Sequence, residues 1–369
     1  MAKKILISGN EAFAKGAIQA GCRFYAGYPI TPQNELIAYM AKHMALAILK
    51  AKPLPYRLMP QADGIFIQAE SELAAINMVY GASAAGVRAM TSSSSPGMSL
   101  KQEGISYIAG AELPAVIVNV MRGGPGLGNI APAQSDYFQA TRGGGHGDYH
   151  SIVLAPASVQ EAYEIMFAAF NLADEYRNPV IILGDSILGQ MMEPIVVYSP
   201  ERAARRNKVP AKHWALTGCK GRKPNVVKSF YLKEGVLEKF NLSLQKKYKV
   251  IQDKEQRWEE FFVKDADQIL VAYGTMARIT KNVVNKLREK GKKIGLIRPI
   301  SLWPFPEKIF DKLASRSSRI KFLVVEMSYG QMLQDVKLAV NGRYPVEFLG
   351  RAGGGIPSEE EIIKSLARL

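Results

Sequence analysis

The stretch that decides the fold covers residues 68–124 and reads QAESELAAINMVYGASAAGVRAMTSSSSPGMSLKQEGISYIAGAELPAVIVNVMRGG. It places two acidic residues, Glu70 and Glu72, at the start of a helix that we predict over Glu72–Ala85. The side chains of this helix are small and mostly apolar on all sides, which favours a buried position in a core or an interface. Two interpretations of the acids stay open. They stabilise the positive end of the helix dipole, or one carboxylate is held there for proton chemistry.

The segments around that helix alternate between strand and helix. Apolar runs predict strands over Gly64–Gln68, Val87–Ser92 and Ala115–Met121, and a helix over Met98–Ala109 lies between the last two. Such alternation is typical of parallel strands joined by helices. We therefore expect an α/β domain with a doubly wound parallel sheet.

Three loops directly follow predicted strands. The strand Arg23–Gly27 leads into Tyr28-Pro29-Ile30-Thr31-Pro32, whose prolines stiffen the chain around Thr31. The other two loops are the serine-rich run 93–97, suited to binding an anion, and Arg122-Gly-Gly-Pro. Arg122 fits a bidentate contact with a carboxylate, with a surface salt bridge as the alternative. Ligands bind at the carboxyl ends of strands in open α/β sheets, so we expect a site here.

The rest of the chain predicts a connector and a second domain. We place the first domain at residues 1–192, a basic connector at 193–266 and a second α/β domain at 267–369. The first domain includes an irregular, proline-containing passage up to Pro60, and the connector includes helices over Lys233–Leu237 and Lys254–Phe262. The second domain has its own hydrophobic strands, so it should fold as a unit.

The charge is unevenly distributed along the 369 residues. The formal net charge is +15, and residues 201–260 contain 16 Lys and Arg against 7 Asp and Glu. A basic segment of this kind can bind nucleic acid, but its aromatic residues follow no RNA- or DNA-binding motif. An acidic protein partner or a solvated linker explains the charge equally well.

Cysteine and histidine limit the metal chemistry that this chain can perform alone. It contains two cysteines, Cys22 and Cys219, whereas a cubane iron–sulfur cluster usually needs four thiolates. His146, Asp148 and His150 lie close together in a glycine-rich loop, and we do not assign them a metal. The amino-terminal apolar run is too short for a signal peptide, and no run approaches the roughly 20 apolar residues of a membrane span. We expect a cytoplasmic protein.

Four motifs together carry a resemblance to a known family. They are Tyr28-Pro29-Ile30-Thr31-Pro32, Ser71-Glu72-Leu73-Ala74-Ala75, Thr91 to Gly97 and Arg122-Gly-Gly-Pro. Over essentially its whole length the chain resembles the α subunit of 2-oxoacid:ferredoxin oxidoreductases, above all the branched-chain (2-oxoisovalerate) type. The first of these motifs, placed about forty residues before the Ser71–Glu72 helix, is specific in combination with it, whereas either motif alone is weak.

The resemblance implies a fold and a set of partners. The fold would be the pyrimidine-binding domain of thiamin diphosphate enzymes, followed by a domain similar to the transketolase C-terminal domain. Thiamin diphosphate would be shared with a β subunit that carries Mg²⁺, the diphosphate and a 4Fe–4S cluster. In keeping with this, Gly184-Asp185-Ser186 lacks the rest of a metal–diphosphate signature. The other implied partners are ferredoxin-like γ and δ subunits, ferredoxin, coenzyme A and a 2-oxoacid, with no nucleic acid, membrane or metal on this chain.

The resemblance also implies roles for individual residues. Glu72 would hydrogen-bond the aminopyrimidine of the cofactor, which requires a carboxylate that can share a proton with a weakly basic ring nitrogen. Thr31 would touch cofactor and substrate, Arg122 would hold the substrate carboxylate, and Glu70 would be a bystander. The remaining expected contacts are Pro29 and Ile30 for the cofactor, and Ser94, Ser95 and Gly97 for the substrate pocket.

Two alternatives remain at this point. The first is an α subunit of the 2-oxoglutarate type, which a further basic residue in the pocket would favour because that substrate has a second carboxylate. The second is a nucleic-acid or protein-binding module that uses the basic connector and performs no catalysis. Binding to heparin with a steep salt dependence would favour the module.

Overall fold

A computed structural model of the chain describes residues 4–49, 64–314 and 320–368. The irregular passage predicted up to Pro60 lies largely outside the described residues. The described part contains two larger sheets and one small one, with helices packed against them.

The first large sheet contains a run of parallel strands. They are β2 (Phe24–Gly27), β3 (Ile65–Gln68), β4 (Ala89–Ser93), β5 (Ala115–Met121), β6 (Ile152–Leu154) and β7 (Pro179–Asp185). A short antiparallel strand, β12 (Ser301–Trp303), completes the order β12-β6-β7-β5-β4-β2-β3. All seven residues of β5 are buried, as expected for a central strand of a sheet covered on both faces. The predicted parallel α/β architecture is confirmed.

The helices of this part lie between its strands. They are α1 (Gly9–Gln19), α2 (Asn34–Leu49), α3 (Glu72–Ala84), α4 (Ser95–Gly110), α5 (Tyr137–Thr141), α6 (Val159–Tyr176) and α7 (Ser186–Gln190). Helix α3 begins after Ser71, whose side chain accepts a hydrogen bond from the Ala74 N–H. Helices α3 and α4 pack closely because Gly104 has no side chain; a Cβ there would lie 2.5 Å from Ile76 Cγ2.

The second large sheet lies in the carboxyl-terminal part. Its strands are β9 (Trp258–Phe261), β10 (Gln268–Val271), β11 (Ile294–Pro299), β13 (Lys321–Glu326) and β14 (Val346–Gly350), in the order β14-β13-β10-β11-β9. Only β9 runs antiparallel to its neighbour among these described pairs. The helices that accompany it are α10 (Gly274–Glu289), α11 (Glu307–Ala314), α12 (Gln331–Val340) and α13 (Glu359–Leu366).

The connector differs from the prediction in its secondary structure. Its main helix is α9 (Val236–Lys254), preceded by the short α8 (Pro200–Arg206). The helix predicted over Lys254–Phe262 is wrong, because that segment holds the end of α9 and the strand β9. The helix predicted over Lys233–Leu237 is wrong except at its last two residues, since Gly235 has a left-handed φ of 72° and α9 begins at Val236.

Several contacts among the described residues join the parts of the chain. Strand β8 (Met192–Val196) pairs antiparallel with β1 (Lys4–Ser8) as a separate two-stranded sheet. Strand β12 extends the first sheet from the second half of the sequence. The buried Gln134 side chain donates a hydrogen bond to the Tyr273 carbonyl and accepts one from the Met327 N–H, both in the second part. Among the helices of the described ranges, none is long and apolar enough to cross a membrane.

Candidate active site

The candidate site lies at the carboxyl ends of four neighbouring parallel strands. The order β5-β4-β2-β3 brings the loops that follow these strands to one edge of the sheet. Those loops contain Arg122 after β5, Ser94 after β4 and Thr31 after β2, while Glu72 opens the helix after β3. The position is the usual ligand-binding edge of an open α/β sheet.

A buried hydrogen-bond chain supports the loop after β2. The Tyr25 hydroxyl and the Ser92 hydroxyl lie 2.6 Å apart, and Ser92 donates to Gln33 Oε1 at 2.6 Å. The amide of Gln33 then donates to the Tyr28 carbonyl at 3.3 Å. Because burial raises the pKa of the Tyr25 phenol, its hydroxyl stays protonated and available as a donor. The loop that contains Thr31 is thus held in place by hydrogen bonds that connect it to residues buried in the sheet.

Arg122 connects the loop after β5 with the loop after β2. Its side chain is 7% exposed, and its two terminal nitrogens donate to the Thr31 carbonyl at 2.8 Å and to the Leu127 carbonyl at 3.1 Å. A planar guanidinium held at two points has a defined orientation. The structure therefore brings Thr31 and Arg122 together, as a shared site requires.

Ser95 holds the backbone of Arg122 from the start of α4. Its hydroxyl accepts a hydrogen bond from the Arg122 N–H at 3.0 Å and donates to Asp136 Oδ2 at 2.6 Å. Asn119 also donates to Asp136 Oδ2, at 2.8 Å. Burial raises the pKa of Asp136, and these two hydrogen bonds oppose that rise. The motif analysis missed Asp136 and Asn119, since nothing in their sequence context shows that they meet.

Glu72 is buried at the first position of α3, with 7% of its surface exposed. Glu70, two residues earlier, is exposed. The Glu72 side chain packs against Gly97 of α4, where an added Cβ would lie 2.6 Å from Glu72 Oε1 and 2.2 Å from Ser93 Oγ. The carboxylate therefore occupies a tight space that exists because residue 97 is glycine.

Lys101 is a further buried charge beside Glu72 that the motif analysis missed. Its ammonium donates to the Glu72 carbonyl at 3.3 Å and to Thr91 Oγ1 at 3.0 Å. Desolvation lowers the pKa of Lys101 to about 7, although the negative charge of Glu72 opposes that shift. Its spacing of four residues from Gly97 places it on the buried face of α4, which is the available sequence signal.

Several buried polar atoms at this edge have no hydrogen-bond partner within the part of the chain that the structure describes. They are the hydroxyls of Ser93 and Ser94 and the Nε of Arg122. Buried donors of this kind are normally satisfied, so their presence indicates that another group completes the site. A carboxylate at a helix start, an arginine and free hydroxyls fit a cofactor with a basic ring nitrogen and an anionic substrate.

The other residues that the sequence analysis singled out show fewer contacts with the candidate site. Pro29 is exposed and Ile30 is half-buried. His146 contacts the Tyr107 ring edge-on, and His150 stacks on Trp303, so these histidines lie in aromatic packing. Within the described ranges, no group of three or more His, Cys, Asp or Glu could hold a metal ion.

The basic connector lies at the opposite end of α3 from Glu72. The Leu216 N–H donates to the Ala84 carbonyl, and Ala215 packs against Gly86. Twelve residues of helix separate Ala84 from Glu72, or about 18 Å. This contact of the connector is therefore remote from the candidate site.

Two family models match the chain in succession. Residues 15–254 match the pyruvate flavodoxin/ferredoxin oxidoreductase, thiamine diphosphate-binding family. Residues 266–362 match core domain II of pyruvate:ferredoxin oxidoreductase. The first match alone covers more than half of the chain.

Curated relatives extend over nearly the whole chain. Ketoisovalerate oxidoreductase subunit VorB of Methanothermobacter marburgensis is 49% identical over 99% of this chain and 97% of its own length. The 2-oxoglutarate synthase subunit KorA of Methanothermobacter thermautotrophicus is 37% identical and covers 100% of both chains.

Solved structures agree with these relatives. The 2-oxoglutarate:ferredoxin oxidoreductase from Magnetococcus marinus, solved with 2-oxoglutarate, coenzyme A and succinyl-CoA bound, has a TM-score of 0.84 and 26% identity. The match covers 100% of this chain, which spans 65% of that solved chain. A split-gene transketolase has a TM-score of 0.60 at 13% identity over 98% of this chain and 97% of its own, which shows the fold alone.

Proposed function

The chain belongs to the pyruvate flavodoxin/ferredoxin oxidoreductase family, and from that premise we propose that it is the α subunit of a branched-chain 2-oxoacid:ferredoxin oxidoreductase. The enzyme would decarboxylate its substrate oxidatively, transfer the acyl group to coenzyme A and pass the electrons to ferredoxin. The observation that carries the proposal is the buried Glu72 at the first position of α3, at the same edge of the sheet as the Thr31–Arg122 contact.

Glu72 would act on the cofactor by proton sharing. When bound, thiamin diphosphate supplies a carbon nucleophile for the 2-oxo group and accepts the electrons that carbon dioxide leaves behind. The buried carboxylate lies at the start of α3 and packs closely against Gly97, so it can keep a fixed hydrogen bond to a ring nitrogen. The glutamate thus positions and moves a proton, while Thr31, Pro29 and Ile30 shape the neighbouring wall.

Arg122 would hold the carboxylate of the substrate. Its Nε is buried without a partner in the described part of the chain, while its other nitrogens are tied to Thr31 and Leu127. A guanidinium that is already oriented loses little freedom when it binds an anion. Ser94, Ser95 and Gly97 would complete the nearby pocket.

The loop after Arg122 supports a branched aliphatic substrate over 2-oxoglutarate. Residues 123–131 read GGPGLGNIA and contain no charged side chain. Leu127 and Ile130 in this loop are 80% and 60% exposed, so they offer aliphatic surface to whatever lies against them. A second carboxylate would find no cation in this loop. The 49% identity to a ketoisovalerate oxidoreductase subunit points the same way.

The site would be completed by a partner subunit. Large apolar side chains surround the site edge, and surfaces of this kind commonly mark interfaces. They are Tyr28, Leu73, Leu100, Leu127 and Ile130, each between 40% and 80% exposed. We assign to a β subunit the Mg²⁺, the cofactor diphosphate and a 4Fe–4S cluster, since this chain has two cysteines where the cluster needs four thiolates.

The other parts of the assembly follow from the same proposal. Ferredoxin-like γ and δ subunits would carry the electrons to ferredoxin, and the complex would work in the cytoplasm. The domain division at residues 192 and 266 also remains a proposal, with the strand β9 as the part of the connector that joins the second sheet.

The test compares Glu72→Gln with Glu70→Gln in the enzyme co-expressed with the products of neighbouring genes. Glutamine keeps the size of the side chain but cannot share a proton as a carboxylate does. We expect Glu72→Gln to assemble normally and to lose carbon dioxide release from 3-methyl-2-oxobutanoate by at least about 100-fold. Glu70→Gln, which changes an exposed acid two residues away, should retain turnover.

Near-normal turnover of Glu72→Gln would refute the proposed proton-sharing role of Glu72. The same preparations should be assayed with 2-oxoglutarate in place of the branched-chain acid, with a dye as electron acceptor. A preference of the wild-type enzyme for 2-oxoglutarate would keep the mechanism and overturn the proposed substrate class.

A further inference from the structure

Lys101 joins three elements directly behind the candidate site. It lies on α4, its side chain is 0% exposed, and its ammonium reaches the Glu72 carbonyl of α3 and the Thr91 hydroxyl of β4. A lysine in this position therefore connects α4 with β4 and with the first turn of α3, which carries the Glu72 carboxylate.

The lysine is a costly residue for packing alone. Removing an ammonium from water is unfavourable, and apolar side chains of similar volume often stabilise a fold as well or better. The desolvation of Lys101 appears as a pKa lowered to about 7, which the Glu72 charge opposes. A methionine could provide neither the hydrogen bonds to the Glu72 carbonyl and the Thr91 hydroxyl nor the electrostatic interaction with Glu72.

We propose that Lys101 is a positioning residue for Glu72: its amino group ties the first residue of α3 to α4 and β4 and places a basic group near the buried carboxylate. The inference deepens the proposed function and rests on it for the role of Glu72. From α3 the charged group that faces Lys101 is Glu72, β4 presents the uncharged Thr91 hydroxyl, and on α4 itself Glu103 is exposed.

The first test uses the full-length chain alone, without cofactor or partner. Wild type, Lys101→Met, Glu72→Gln and the double variant are unfolded with urea between about pH 6 and pH 10. The folded pKa of Lys101 lies below its unfolded value of 10.5, so the folded state binds fewer protons in this window. Stability should therefore rise with pH through the window, and Lys101→Met should lack that part of the rise.

Glu72→Gln reports the contact between the two residues in the same experiment. Without the negative charge of Glu72, Lys101 loses its proton more easily, so the rise in stability should begin at lower pH than in the wild type. An unchanged onset in Glu72→Gln, or a Lys101→Met chain with the wild-type pH dependence, would overturn the inference.

The second test uses the assembled enzyme and the pH profile of kcat/KM. Lys101→Met removes both the basic group near Glu72 and the hydrogen bond to its carbonyl, so the acid limb of the profile should move by about one pH unit or more. Thr91→Val is the matched variant, because it removes the other acceptor of Lys101 but leaves the charge. An unmoved limb in Lys101→Met, or an equal shift in Thr91→Val, would show a packing role and refute the proposal.

The two tests also separate this inference from the proposed function. If Glu72→Gln keeps its turnover, the proposed function fails, while the urea experiment still shows whether Lys101 and Glu72 interact. If Glu72→Gln is inactive but the urea curves show no interaction, the function stands and the role of Lys101 is refuted.

Discussion

Gly97→Ala is a one-carbon change that should separate activity from stability. The added Cβ would lie 2.2 Å from Ser93 Oγ, 2.6 Å from Glu72 Oε1 and 2.9 Å from Glu72 Cγ, whereas real Cβ contacts are essentially never shorter than 3.0 Å. Ser93 Oγ must therefore move by about 0.8 Å and the Glu72 carboxylate by about 0.4 Å or more. Both obstacles are side-chain atoms, so the backbone can stay in place.

The expected cost falls on turnover. A 1 Å displacement of a catalytic group can reduce the rate by about 100-fold, and the Glu72 carboxylate must move by about 0.4 Å or more, so we expect a loss of about 10-fold, or about 1.4 kcal/mol of transition-state stabilisation. Stability should change little, because alanine in place of a helical glycine contributes up to about 1 kcal/mol, which offsets the crowding. The φ angle of Gly97 lies outside the left-handed region, so alanine adds no backbone strain.

The assay is substrate-dependent dye reduction by the assembled enzyme, with thermal unfolding measured on the same preparation. Gly81→Ala is the control, since Gly81 lies on α3 and its added Cβ would meet nothing within 4 Å. We expect the control to keep its turnover and to gain up to about 1 kcal/mol of stability. Full turnover in Gly97→Ala would refute the reasoning that this glycine sets the position of the Glu72 carboxylate.

The remaining predictions concern one residue of the site and one of the scaffold. Arg122→Ala should raise the KM for the 2-oxoacid and lower kcat/KM by about 100-fold or more, since a charge-assisted bidentate contact is lost, while the affinity for coenzyme A, measured by calorimetry, stays the same. Unchanged kcat/KM would move the carboxylate site elsewhere. Asp174→Asn should destabilise the chain by about 3–5 kcal/mol in urea unfolding, because Asp174 pairs with Arg88 and Lys212 at 2.7 Å each in a buried position. A loss below 1 kcal/mol would show that water reaches these cations.

The central strands and loops could be predicted because their signals are local. The buried strand Ala115–Met121 has the same bounds in the sequence prediction and in the structure. The start of α3 at Glu72 was also predicted, and in the structure Ser71 caps this helix. The loops that follow β2, β4 and β5 contain the proline, serine and arginine residues of the predicted site. Because these strands are parallel neighbours, their loops meet at one edge of the sheet, so most of the candidate site could be predicted.

The connector was harder to predict because its apolar stripe is narrow. Helix α9 has 19 residues but buries three of them, Leu244, Tyr248 and Ile251. Their i, i+4, i+7 spacing is helical, yet the many lysines around them resemble a solvated linker. Strand β9 reads WEEF and gains its order from pairing with β11, which local sequence does not encode.

Lys101 and Asp136 could not be found from sequence because their roles depend on contacts between distant segments. A lysine in a helix is usually exposed, and its burial here follows from the close approach of α3 and α4 at Gly104. Asp136 meets Asn119 and Ser95 only after the sheet has formed. Motif comparison identifies the groups that would touch a ligand, whereas the groups that hold them in place become visible in the fold.

The basic connector and the candidate site lie at opposite ends of α3. The basic connector meets the far end of α3, about 18 Å from Glu72 along the helix, which is roughly twice the screening length at physiological salt. A charge at that contact therefore contributes little to the binding of an anionic substrate beside Glu72. The basic groups buried near the site are Arg122 and Lys101, and desolvation lowers the pKa of Lys101 to about 7. The chemistry that we propose thus depends on the local packing of α3 against α4, and the connector is free to serve the assembly of the complex.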